Sequence, residues 1–114
     1  MTGVLYVALG GAAGSVLRYL IALALPAASF PWPTLSVNIL GSAAIGVAAG
    51  LGLQGEARLL LVTGFLGGFT TFSAFSLESA TLAERSLPLA AAYVLASVGL
   101  GLAAFALAFW LARR

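Results

Sequence analysis

The sequence contains no cysteine, histidine, aspartate or lysine. Without cysteine there is neither a disulfide framework nor a thiolate metal site. Without histidine, and with no carboxylate pair or hydroxyl–base pair along the chain, the usual groups of acid–base and nucleophilic catalysis are missing, so an enzyme is not expected. Charge itself is scarce: Arg18, Arg58, Arg85, Arg113, Arg114, Glu56, Glu78 and Glu84 are all there is. Charged residues make up 7% of the chain, against about 25% in an ordinary soluble domain, and so few cannot build a water-facing surface. The net charge of +2 rests on so few groups that it implies no nucleic-acid partner.

What is present is apolar. Hydrophobic residues make up 62% of the 114, with a mean hydropathy of +1.14, which places the chain among integral membrane proteins. A spanning helix needs about 20 mostly apolar residues, and four stretches qualify: 3–25, 33–53, 57–82 and 88–112. The first resembles a signal peptide, but it is long, lacks a positive n-region and is interrupted by Arg18, so it reads as a retained span. The connectors are a Pro-rich aromatic loop over 26–33, a glycine-containing turn over 53–58 and a charged turn over 83–88, with Pro88 placed to start a helix. One compact four-helix transmembrane unit over 1–114 is expected. Four spans put the N-terminus, the second connector and the C-terminus on one side, together with Arg58, Arg113 and Arg114, while Arg85 lies opposite. That bias is small for an orientation rule that counts Lys and Arg, and it suits either weak topological commitment or orientation by those three arginines. Gly10 with Gly14, Gly46 with Gly50, and Gly64 with Gly68 have the small-xxx-small spacing that lets membrane helices approach closely, which favours a homo-oligomer.

Polar groups inside spans are expensive and therefore informative. Asn38 shares a helix face with Thr34 and Gly41, and suits either a donor in a path or an interhelical hydrogen bond. Tyr93, Ser97 and Gly101 line one face of the fourth span; the alternative for Ser97 is a bond to the carbonyl four residues back. Arg18 cannot deprotonate, so it either snorkels to an interface or is paired. Glu78 is a functional candidate if buried and a helix-end charge if not. The third span holds GFLGGFTTFSAFS, Gly64 to Ser76, where two glycines precede two β-branched threonines, a poor prescription for helix continuity. A break there would free carbonyl oxygens, which suit a small cation such as Na⁺, and Phe69, Phe72 and Phe75 recur on one side, with ring edges that are electropositive. Amide N–H, hydroxyl, aromatic edges and a nearby positive charge are an anion's partners. The residues thus support a small channel or carrier without naming the ion.

The blocks GGAAGSVLRY (Gly10 to Tyr19), TLSVNILGS (Thr34 to Ser42) and GFLGGFTTFSAFSLE (Gly64 to Glu78) resemble the three signature blocks of the Fluc, or CrcB, family of fluoride channels. The resemblance extends to the length and four-span layout of the whole chain. It implies an all-α membrane protein whose third helix is broken near its middle, assembled as an antiparallel dual-topology homodimer in a prokaryotic inner membrane. It further implies a structural Na⁺ at the dimer centre, held by the carbonyls of Gly67 and Thr70. Two fluoride paths would be lined by Asn38, Phe72, Phe75, Tyr93 and Ser97, with Glu78 close by and Arg18 attracting anions at the entrance. Two positions depart from the family's habit: Gly101 and Ala74 stand where relatives often carry hydroxyls. Two rivals remain open. A dual-topology small-molecule/proton exchanger would carry a glutamate in the first span, where this chain has Arg18, and a non-transporting scaffold subunit would pass no ions.

Overall fold

The computed structural model describes residues 1–26 and 29–114; part of the Pro-rich connector expected over 26–33, residues 27 and 28, lies outside the described residues. All the regular structure among the described residues is helical. Helix α1 spans Thr2–Ala24, α2 Trp32–Gly50 and α6 Leu87–Arg113. The third span, Gly55–Arg85, is made of pieces: α3 (Gly55–Arg58), a π-helix (Leu59–Leu66), α4 (Gly67–Phe69) and α5 (Phe72–Arg85). All four spans are long and apolar enough to cross a membrane, and the chain is a multi-pass membrane protein.

Turn chemistry sets the ends of these spans. The second ends at Gly50, before the expected 53, because Gly52 and Gly55 take left-handed torsions (φ 72° and 64°) that only glycine adopts without strain. The third runs to Arg85, past the expected 82. The charged connector expected over 83–88 is helical except at Ser86, whose extended backbone turns the chain and whose Oγ accepts the Leu89 N–H at 3.2 Å to cap α6. Pro88 falls in the first turn of α6, where its missing N–H leaves nothing unsatisfied. At the other end of α6, Trp110 is exposed, with the Arg114 guanidinium 5.1 Å from its ring centroid. At 1.5 Å per residue a helix of 27 residues is about 40 Å long. That exceeds the roughly 30 Å hydrocarbon core, so these terminal groups reach the interface.

Alternate spans pair in parallel, and glycine sets how closely. A Cβ on Gly10 of α1 would strike the Leu60 carbonyl oxygen, and one on Gly14 would strike that of Phe65. From the facing helix, a Cβ on Gly64 would lie 2.9 Å from the Val7 oxygen and one on Gly68 2.5 Å from that of Gly11. The second pair, α2 and α6, meets the same way at Gly46 and Gly50, against the carbonyls of Phe105 and Phe109. Two small apolar clusters tie the pairs together: Leu35, Leu82, Ala90 and Tyr93 on one side, Val37, Leu66 and Phe69 on the other.

Because backbone, and not a flexible side chain, blocks the space at Gly14, Gly14→Ala is expected to lose about 1–3 kcal/mol of stability by overpacking. Gly99, which has nothing within 4 Å of a Cβ, should accept alanine without loss. Equilibrium unfolding of both variants in detergent micelles distinguishes them; equal stabilities would refute the close-contact account.

Candidate functional site

Between α4 and α5 the chain runs extended for two residues, Thr70 (φ −88°, ψ 159°) and Thr71 (φ −152°, ψ 119°). The polar groups this exposes at membrane depth are met one by one. Asn38 of α2 grips Thr71 with both ends of its carboxamide: Nδ2 donates to the Thr71 carbonyl at 3.0 Å, and Oδ1 accepts the Thr71 N–H at 2.9 Å. Thr71 also caps α5, its Oγ1 accepting the Ala74 N–H at 3.1 Å. Thr70 turns its hydroxyl back onto the Leu66 carbonyl at 2.9 Å. Gly41, one turn from Asn38, lets α2 close on this stretch, since a Cβ there would collide with Thr70 Cγ2.

These bonds leave two carbonyls without their helical donors. In a continuous helix the Gly67 oxygen would accept from the Thr71 N–H, which donates to Asn38 instead. The Thr70 oxygen would accept from the Ala74 N–H, which donates to Thr71 Oγ1. The chemistry of this donor set suits a hard cation bound by backbone oxygens, as at the unwound helices of membrane transporters. A third carbonyl, that of Gly68, accepts Arg18 Nε at 3.0 Å. Arg18 is therefore paired within the protein, to α4 just ahead of the extended pair. A few ångströms on, α5 begins: its first N–H groups bring the positive end of a 14-residue helix to mid-membrane.

The candidate residues do not gather in one cavity. Thr71 forms a wall between two. On one side an open groove of about 320 Å³ is lined by Asn38, Ser42, Gly67, Thr70 and Phe72. On the other a cavity of about 210 Å³ holds Arg18, Thr34, Ala74 and Glu78. Phe75, Tyr93 and Ser97 line neither; Phe75 and Tyr93 pack together between α5 and α6. The Phe75 ring is 5.3 Å from that of Tyr93 and 5.6 Å from that of Phe72, a residue that is itself 77% exposed. Tyr93 is fully buried and donates its hydroxyl to Glu78 Oε1 at 3.2 Å, so Glu78 is a partner inside the bundle. Ser97 differs from four hydroxyls of the third span. Thr70, Ser76, Ser79 and Thr81 each bond the carbonyl four residues back, whereas Ser97 Oγ is buried with no protein partner. The alternative of a local backbone bond, open at the level of sequence, does not hold for Ser97.

Sequence reading gave Thr71 and Ser42 no individual role and Gly68 only a packing one. Thr71 had the signal of an N-cap, a β-branched hydroxyl ahead of a helical run. Ser42 had the spacing, four residues after Asn38 and eight after Thr34. As the acceptor for Arg18, Gly68 had no signal, because a carbonyl acceptor leaves no trace in side-chain chemistry.

The family described as "CrcB-like protein, Camphor Resistance (CrcB)" matches residues 5–109. A protein of Rhizobium etli named "Fluoride-specific ion channel FluC" is 54% identical over 113 residues, covering 91% of this chain and 90% of the relative. Proteins of the same name from Erythrobacter litoralis and Hyphomonas neptunium are 50% and 49% identical and cover 96% and 100% of this chain. The chain belongs to the CrcB-like family.

Asn38→Asp removes the Nδ2 donor and sets a carboxylate oxygen against the Thr71 carbonyl. Leaving a buried polar group unmatched costs about 1–3 kcal/mol, more when it is charged, so this variant should unfold well before Asn38→Gln or the parent. A thermal melt in detergent that leaves Asn38→Asp at the parent's midpoint would show that the carboxamide does not hold Thr71.

Proposed function

We propose that this chain is a fluoride-selective passive channel, working as an antiparallel dual-topology homodimer in the inner membrane of a prokaryote. The observation that carries the reading is the open groove at Thr70–Thr71. Irregular backbone and unpaired carbonyls survive at membrane depth only where protein or a cavity receives them, and lipid can do neither. A second copy laid across this face, with the extended pair acting as a break in the third span, would cover Gly67, Thr70 and the exposed Phe72 at once. The names of the relatives support the choice of ion.

In this reading the chain replaces the water of a small, tightly hydrated anion. Asn38 has one amide N–H left after bonding Thr71, and Ser97 has its whole hydroxyl. Phe72 and Phe75 offer electropositive ring edges, and the N-terminal end of α5 adds a fixed positive potential. Tyr93 contributes its ring, since its proton is held by Glu78. Arg18, pinned to Gly68 and lining the second cavity, draws anions toward the path from inside the protein. A dry, narrow route lined this way disfavours chloride, which is too large to reach all the donors together. At the seam, the carbonyls of Gly67 and Thr70 from both copies would hold Na⁺, which when bound supplies positive charge to join two carbonyl-rich faces.

Liposomes containing only the purified protein are expected to release fluoride, read by an electrode once valinomycin carries K⁺, and to retain chloride. Vesicles with folded protein and no fluoride release would end this reading, and uptake driven by a pH gradient would move it to an exchanger. The dimer should also withstand detergent and heat better in Na⁺ than in K⁺ or Li⁺; indifference to the cation would remove Na⁺ from the Gly67–Thr70 carbonyls.

A further inference from the structure

The parallel pair α2 and α6 keeps a constant register. Gly46 lies against Phe105, Gly50 against Phe109, and Ser42 beside Gly101, in each case 59 positions apart (105 from 46, 109 from 50, 101 from 42). One turn earlier the same register sets Asn38 level with Ser97, and one turn before that it sets Thr34 level with Tyr93. The two helices therefore form rungs: Thr34 with Tyr93, Asn38 with Ser97, Ser42 with Gly101.

On the first two rungs α6 carries a hydroxyl, that of Tyr93 committed to Glu78 and that of Ser97 without a protein partner. On the third it supplies Gly101, which is buried, and the hydroxyl comes from across the pair. Ser42 Oγ stands 3.4 Å from where a Cβ of Gly101 would be, close to the place a hydroxyl on that residue would occupy. Ser42 also lines the open groove beside Asn38, Thr70 and Phe72, so its side chain has access to the groove as well as to the rung. On the neighbouring rung sits Ser97, the buried hydroxyl with no protein partner. A hydroxyl kept from its local carbonyl in a dry site is a donor free for something that passes.

We propose that Ser42 is a further anion-contacting residue that determines specificity: it provides from α2 a free hydroxyl that continues the one Ser97 offers on α6, at the rung where α6 itself carries only Gly101. This rests on the fluoride reading above. A serine hydroxyl donating to a fully dehydrated fluoride gives a short contact that the larger chloride cannot share while also meeting Ser97, so Ser42 acts on selectivity as well as rate.

The test moves the hydroxyl across the rung. In liposomes, Ser42→Ala should slow fluoride release about 5- to 10-fold, the scale of one neutral hydrogen bond. Ser42→Cys, which keeps the shape but has a weak donor, should slow it comparably. Adding Gly101→Ser to Ser42→Ala should return the rate to within about 2-fold of the parent, since the hydroxyl is restored from the other helix. Parental rates in Ser42→Ala and Ser42→Cys would overturn the proposal. So would slow release that Gly101→Ser does not rescue, because Ser42 would then act through packing. The parent is measured alongside: if it fails to release fluoride the channel reading itself falls, whereas a conducting parent with an indifferent Ser42 refutes this inference alone.

Discussion

Two hydrogen bonds between the Asn38 carboxamide and the main chain of Thr71 are the constraint on which the rest of the arrangement hangs. A peptide group left unpaired in hydrocarbon costs several kilocalories per mole, so two consecutive extended residues in a membrane span need a partner presenting a donor and an acceptor together. Among side chains that do not titrate, only Asn and Gln offer that pair in one plane. Once Thr71 is held this way, its N–H is withdrawn from Gly67, its Oγ1 is placed to start α5, and Phe72 is turned to the outside. Carbonyl ends and a helix N-terminus, groups of opposite polarity, then lie within a few residues of each other at mid-membrane.

Such a site needs walls that do not move, and glycine provides them. Where α1 meets the third span and where α2 meets α6, main chain touches main chain. Without a hydrophobic driving force between helices in lipid, contact of this closeness is the source of their association. It also fixes rotation, since turning either helix would drive a Cβ into a carbonyl. Because successive spans alternate in direction, the pairing of odd spans with odd and even with even makes each pair parallel, and this lets residues four apart on α2 stay level with residues four apart on α6.

Much of this could be read before any coordinates. The four spans follow from apolar length, and the three glycine pairs announce the close contacts that Gly10, Gly14, Gly46, Gly50, Gly64 and Gly68 make. Residues that favour irregular backbone, Gly67, Gly68, Thr70 and Thr71, are visible as composition. Who satisfies them is not, because hydrogen bonds between residues 33 and 50 positions apart, as at Asn38–Thr71 and Arg18–Gly68, depend on register between helices, which a single sequence does not encode locally. The π-helical winding of Leu59–Leu66 has no signature either: its leucines, Val62 and Thr63 suit an ordinary helix equally. Ser42 was overlooked for a simpler reason. Attention to the face shared by Thr34, Asn38 and Gly41 favoured the i+3 neighbour over the i+4 one, and the two point at different helices.

Arg18 bears on how the chain is built as well as on what it does. Its guanidinium is permanently charged and lies well inside α1, yet the carbonyl that receives it belongs to a segment synthesised 50 residues later. A lone arginine at the centre of a span disfavours insertion by about 2.5–3.5 kcal/mol on translocon scales, less near an end. Until the third span enters the bilayer, α1 holds a charge with no partner from it, and its settled depth waits on Gly68. The first helix made is thus among the last to be finished, and biogenesis of the whole chain is tied together by one side chain reaching for a glycine oxygen.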